Sequence, residues 1–219
     1  MVTTVTLALT GASGMFYGLR LLECLLAAKV KVYLLYSRTS QLVLYQETGQ
    51  SWPSQPKAVA NLLATRYQVS EEQLAVFADN AWHAPVASGS GVADAMVICP
   101  CSMSTLASVA GGLSNNLRLR AADVCLKERK PLLIVPRESP FSVLHLENML
   151  KLARLGVCIL PANPGFYHRP KSIEALIDFI VARILDQLGI AHQLLARWGE
   201  VGADDGANAL ASLLPIQQS

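Results

Sequence analysis

The stretch VTLALTGASGMFYG, Val5 to Gly18, decides the architecture. Val5 to Thr10 has the length and composition of a buried strand, and Gly11-Ala12-Ser13-Gly14 stops it at once. From Tyr17 to Ala28 the leucines at 19, 22, 25 and 26 gather on one side, which predicts a helix. A strand, a glycine turn and a helix start are the first half of a βαβ unit. The alternation repeats along the chain. Strands are expected at Val30–Tyr36, Gln73–Phe77, Ala95–Cys99 (stopped by Pro100), Leu132–Val135 (stopped by Pro136) and Val157–Leu160. Helices are expected at Thr39–Glu47, Lys57–Arg66, Ser102–Ala110, Leu117–Arg129, Ser142–Leu155 and Ser172–Leu188. Asp79 to Gly91 reads as a long irregular segment and Asn163 to Pro170 as a loop. The pattern implies an α/β chain with a doubly wound, three-layer α/β/α, Rossmann-like fold around a six-stranded, mainly parallel sheet. Residues 1–200 form one domain and 201–219 a weakly patterned C-terminal tail.

Composition narrows the function classes. The chain has 219 residues, 52% hydrophobic and only 16% charged. An average soluble chain carries about 25% charged residues, so part of this surface is expected to face other subunits. The formal net charge of +2, with no basic run interleaved with aromatics, argues against nucleic acid. Five cysteines without a framework point to reduced thiols and a cytoplasmic protein. No basic leader is visible at the N-terminus. The uncharged stretch Ala95 to Leu117 holds Pro100, four serines, two glycines and two asparagines, so it is not a membrane helix.

In parallel sheets of this kind, ligands bind outside the carboxyl ends of the strands, and each candidate motif is expected at one of those ends. Gly11 to Gly14 offers backbone N–H groups at a helix start, an anion cradle for a phosphate or flavin, or else a tight turn that binds nothing. Its spacing is neither the dinucleotide fingerprint nor a Walker loop nor a nucleophile elbow. In Cys99-Pro100-Cys101-Ser102-Met103-Ser104-Thr105, three hydroxyls open a helix. One suffices for a cap, so three favour an anion; the two cysteines read as packing thiols. Arg120 and Lys127 are seven residues apart and share a helix face, a ligand pair or a solvated basic face. Arg137 and Glu138 lie between Pro136 and Pro140, an anion ligand and a proton carrier or else an ion pair. Tyr167, in the loop Gly165 to Pro170, suits a hydrogen bond to a substrate or packs at the surface, and Arg183 lies on the next helix. Four scattered histidines give no metal cluster.

Together these segments resemble the UbiX-type flavin prenyltransferases. The resemblance rests on Gly11-Ala-Ser-Gly, Cys99-Pro-Cys-Ser with Thr105-Leu106, Asn116-Leu117, Arg120-Ala-Ala-Asp, Leu126-Lys-Glu-Arg, Val135-Pro-Arg-Glu, His145-Leu-Glu-Asn-Met and Pro164-Gly-Phe-Tyr. It runs from about Thr6 to Glu200. Met103, Ser104 and Arg118 depart from the usual pattern. The resemblance implies a homododecamer with sites at subunit junctions. It also implies transfer of a dimethylallyl group from dimethylallyl monophosphate to N5 and C6 of reduced FMN, without a metal. The prenylated FMN would serve a UbiD-type decarboxylase, as in ubiquinone biosynthesis.

The resemblance also assigns roles. Gly11, Ala12, Ser13, Ser37, Ser102, Met103, Ser104, Thr105 and Arg137 would hold FMN. Arg120, Lys127, Tyr167 and Arg183 would hold the departing phosphate. Trp82 would face the allylic cation, and Ser13 and Glu138 would move protons. Glu47, matching a family active-site glutamate, would reach in from a neighbouring subunit. Three rivals share features of this reading. An FMN-dependent cysteine decarboxylase would use a His base and a P-x-M-N-x-x-M-W segment, which His145-Leu-Glu-Asn148-Met149 lacks. A non-catalytic FMN-binding protein would not need the second charged set. A nucleotide-dependent dehydrogenase would need an acidic residue closing the second strand.

Overall fold

The central strand of the sheet is β1, Thr4–Leu9, buried from Val5 onward. The computed structural model describes residues 2–195, so the expected tail at 201–219 lies outside the described residues. After β1 come α1 (Met15–Ala27), β2 (Lys31–Tyr36), α2 (Arg38–Thr48), α3 (Pro56–Tyr67) and β3 (Leu74–Phe77). The second half holds β4 (Ala95–Cys101), α4 (Met103–Ala110), α5 (Leu117–Lys127), β5 (Leu132–Pro136), α6 (Val143–Arg154), β6 (Cys158–Ile159) and α7 (Ile173–Leu188). The irregular segment after β3 contains two short 3-10 turns, Pro85–Ala87 and Gly89–Gly91.

The sheet runs in the order β3-β2-β1-β4-β5-β6, and every pair is parallel. The chain winds outward from β1 to β3, then crosses back to β4 and winds the other way. The switch point therefore lies between β1 and β4. Alternate side chains of β1 feed two cores. Val5, Leu7 and Leu9 pack with residues of α1, α2, α3 and α7, and Ala8 packs with α4, α5 and α6. This is the expected three-layer arrangement.

Two local features set the floor of the switch point. Gly14 opens α1 at φ +106°, in the left-handed region, where an added Cβ would also stand 2.9 Å from Tyr17 Cδ2. One turn on, a Cβ at Gly18 would meet the Cys99 carbonyl at 2.5 Å, so α1 can lie close on β4 only with glycine there. The sequence expectation that Pro100 stops β4 is corrected. The strand continues to Cys101, which pairs with Pro136 after a register shift that begins at Ile98. Proline lacks only the donor. Its carbonyl accepts from Thr10 N at 3.3 Å and Thr10 Oγ1 at 2.8 Å, and its missing N–H falls within the register irregularity.

Candidate active site

Four segments leave the sheet at its carboxyl edge around the switch point: Thr10 to Ser13 after β1, Ser37 after β2, Ser102 after β4 and Arg137 after β5. Thr10 ties two of them together. Its hydroxyl donates to the Pro100 carbonyl and accepts from Ser102 N, both at 2.8 Å. Ser102 caps α4, its Oγ accepting from Thr105 N at 3.3 Å and lying 3.0 Å from Thr105 Oγ1. Met103 and Thr105 are buried and Ser104 is exposed. Thus one of the three hydroxyls serves the helix, as a cap requires, and its neighbour Thr105 is held against it.

The neighbouring strand supplies a second hydroxyl group of the same kind. Ser37 is buried and caps α2 through Ser40 N at 2.9 Å, and its Oγ lies 2.9 Å from Thr39 Oγ1. Thr39 is exposed, and its Oγ1 lies 2.7 Å from where a Gly11 Cβ would stand. Ala12 is buried and Ser13 exposed beside it. Sequence reasoning missed Thr10 and Thr39. The signal was there in both cases: a hydroxyl at a strand end, and a second hydroxyl where one suffices to cap a helix.

Arg137 completes this edge. Its backbone N–H donates to Cys101 O at 3.3 Å, which fixes it beside the end of β4. Its Nε is buried and has no hydrogen-bond partner within the protein. A buried guanidinium donor left unpaired is costly, so this atom is built to receive a ligand acceptor.

Glu47 changes the reading of the glycine turn. Its Oε1 accepts from Gly14 N at 2.8 Å, and its Oε2 from Gly14 N at 3.1 Å and Met15 N at 2.8 Å. The N-terminus of α1, expected to cradle a ligand anion, is occupied by the chain's own carboxylate. Within the chain Glu47 serves its own α1. The physical reason is the length of α2, which returns its last turn to the start of α1. A ligand phosphate is left the hydroxyls of Ser37 and Thr39, the start of α4 and Arg137.

The remaining predicted residues fall in three places. Glu138 is exposed at the carboxyl edge, its Oε1 accepting from Ser139 N at 3.0 Å. Tyr167 lies in a loop docked on α7, where His168 stacks on Phe179 at 5.2 Å. Arg183 stands one turn beyond Phe179 on the same helix face, so Tyr167 and Arg183 are brought to one flank. Lys127 is not at the carboxyl edge, against expectation, whereas Arg120 lies in the first turn of α5, whose Leu117 N donates to Asp79 O just past the end of β3. α5 runs back toward the start of β5, so Lys127 ends it five residues before Leu132, at the amino edge of the sheet. There Lys127 pairs with Glu128 against Gly89; two turns earlier on α5, Arg120 Nε donates to Ala87 O at 3.1 Å. Trp82 lies in the segment that descends between the two edges, 47% exposed. One chain therefore does not bring together all four residues expected to hold the phosphate.

Other side chains have settled structural roles. Arg118, a departure from the family pattern, forms a two-point pair with Asp79 at 2.7 and 2.9 Å. His145 closes a capping box with Ser142, its Nδ1 accepting from Ser142 N at 3.2 Å, which removes it as a candidate base. All five cysteines are free. Burial pushes the Cys99 and Cys101 thiols far above their ordinary range, and pushes Cys125 up to about 12. Iodoacetamide at pH 8 is therefore expected to leave these three unmodified in the folded protein, as peptide mass spectrometry would read. Fast labelling of Cys99 or Cys101 would remove them from the core. Among the described residues no group of three or more His, Cys, Asp or Glu is placed to share a metal ion.

Comparison with known proteins bears on the same edge. The Flavoprotein family matches residues 2–185. A flavin prenyltransferase UbiX of Pseudomonas aeruginosa is 57% identical over 196 residues, covering 90% of this chain and 94% of the relative. A crystal structure of a UbiX protein in complex with FMN and dimethylallyl pyrophosphate superposes with a TM-score of 0.81 at 37% identity, covering 92% of this chain and all of the other. A dodecameric FMN-dependent UbiX-like decarboxylase from Escherichia coli superposes with a TM-score of 0.78 at 37% identity, covering 89% and 98%.

Proposed function

Because the chain belongs to the Flavoprotein family and within it to the UbiX flavin prenyltransferases, we propose that it transfers a dimethylallyl group from dimethylallyl monophosphate to reduced FMN. The observation that carries this reading is the carboxyl-edge cluster of Gly11–Ser13, Ser37, Ser102–Thr105 and Arg137 around the β1/β4 switch point, with the buried Arg137 Nε lacking a partner. FMN fits these residues. Ser37, Thr39 and the start of α4 suit its phosphate, and Arg137 suits an oxygen of the ring or the tail. Bound FMN supplies the nucleophilic N5 and C6.

The protein's part is positioning, charge and exclusion of water. When the allylic C–O bond breaks, the bridging oxygen keeps the electron pair, so an ester bound as its monoanion leaves as the hydrogen phosphate dianion. Arg120, Lys127, Arg183 and Tyr167 receive it. One charge pair at ~4 Å is worth ~4 kcal/mol at an effective dielectric near 20, so three cations lower the barrier without a metal. Trp82 offers an aromatic face to the cationic fragment, an attraction of ~2 kcal/mol when dry. Glu138 and Ser13 handle the protons released as the new ring closes on FMN. Prenylated FMN passes to a UbiD-type decarboxylase in the cytoplasm, in ubiquinone biosynthesis or a related decarboxylation.

Lys127 sits at the amino edge of its own sheet, so in this reading it completes the site of an adjoining copy. A homododecamer like that of the Escherichia coli relative provides the junction. The surface supports association: Leu42 and Tyr45 on α2 and Val143, Leu144, Leu146 and Leu150 on α6 are all more than half exposed. Anaerobic incubation with reduced FMN and dimethylallyl monophosphate, read by mass spectrometry of the flavin, is expected to show a gain of one five-carbon unit. An unchanged flavin would end the proposal.

A further inference from the structure

Asp186 lies one turn beyond Arg183 on α7 and divides its two carboxylate oxygens between different partners. Oδ2 accepts from Arg183 Nη1 at 2.9 Å, and Oδ1 meets His192 Nε2 at 3.1 Å. The backbone explains how His192 arrives there. α7 ends at Gly189 with φ +67°. Gly189 N donates to Asp186 O at 3.1 Å and Ile190 N to Leu185 O at 3.0 Å, so the chain doubles back beside the last turn.

A further contact fixes the imidazole. Leu194 N donates to His192 Nδ1 at 3.3 Å, so Nδ1 presents its lone pair. The ring hydrogen is then on Nε2, where it donates to Asp186. The groups form a relay that converges on Asp186: the Leu194 N–H fixes the His192 ring, and His192 and Arg183 each donate to one carboxylate oxygen. Its inner member is sheltered, with the His192 side chain 14% exposed, while Arg183 at the outer end is 52% exposed. A half-exposed arginine samples many rotamers unless something fixes its fork. Here the fork is fixed through Nη1, beside the loop that carries Tyr167.

We propose that Asp186 and His192 are positioning residues that hold the Arg183 guanidinium ready for the phosphate of the prenyl donor. The inference rests on the reading of Arg183 as a phosphate ligand. Neither residue touches the reacting atoms; both act through Arg183. The relay predicts that losing either one weakens capture of the prenyl phosphate while leaving FMN binding alone.

Steady-state kinetics with saturating reduced FMN separates the possibilities. Asp186→Ala is expected to raise KM for dimethylallyl monophosphate about tenfold, with kcat changed by less than about threefold. His192→Ala is expected to follow it at about threefold, and His192→Gln, which restores an N–H donor, to recover most of the loss. FMN affinity, read by fluorescence titration, should match the wild type in all three. Arg183→Ala is run beside them. If Arg183→Ala leaves KM unchanged, the reading of Arg183 as a ligand fails and takes this inference with it. If Arg183→Ala raises KM while Asp186→Ala and His192→Ala do not, the relay alone is overturned. A lower KM in Asp186→Ala would also overturn it, by making the carboxylate a competitor for the guanidinium. Should Asp186→Ala fail to fold, the His192 pair decides: matching KM values for His192→Ala and wild type refute the relay.

Discussion

Co-expressing Lys127→Ala with Glu138→Gln, each inactive alone, is expected to restore about a quarter of wild-type turnover per site. Glu138→Gln keeps its shape and its bound FMN but loses proton transfer, a step that contributes roughly 10²–10⁴-fold. Lys127→Ala loses a cation on the departing phosphate. The two positions stand at opposite edges of the sheet, because β5 runs from Leu132 to Pro136 between them. Five residues of strand span about 16 Å, too far for one dimethylallyl monophosphate to touch both in the same chain. If each site takes Glu138 from one copy and Lys127 from another, random assembly at equal ratio leaves half the copies correct on each side, and about a quarter of the sites intact. Differently tagged chains, purified through both tags and assayed for prenylated flavin, give the measurement. Turnover no higher than either variant alone would mean that both residues serve one chain's site or none.

Glu47→Ala is expected to cost about 2–4 kcal/mol of stability, from loss of charge-assisted hydrogen bonds to two helix-end donors. For a chain of this size that corresponds to a drop of roughly 10 °C in the melting temperature. Gly14 N and Met15 N are the donors left without the carboxylate, and they also set the turn that shapes the Gly11–Ser13 floor. FMN affinity should therefore fall together with stability. Glu47→Gln retains one acceptor and should lie between the two. A melting curve superposable on wild type for Glu47→Ala would show that the glycine turn holds itself.

The winding of the fold was legible because most strands are short apolar runs closed by Gly, Pro or Ser, and most helices carry an apolar stripe. Val5 to Gly18 alone defines the strand, turn and helix that sit at the switch point. Pro100 misled because a proline inside a run usually ends a strand, and only the partner strand shows that its carbonyl is used. The polar residues at the carboxyl edge were legible as residue types after strands: Ser37, Ser102 and Arg137. Glu47 was legible as a residue but not as a cap, because its partners are more than thirty positions away. Lys127 was placed at the wrong edge because helix-face spacing says nothing of the direction in which a helix returns along the sheet.

The outermost strands carry a consequence for how copies can meet. β6 offers two residues of ladder and β3 four, so neither rim of the sheet gives another chain enough backbone to zip onto. Growth by adding strand to strand is closed off, and higher order must come from side-chain surfaces such as the leucine-bearing flank of α6. A quaternary structure joined that way is set by the symmetry of those faces rather than by an extendable backbone ladder.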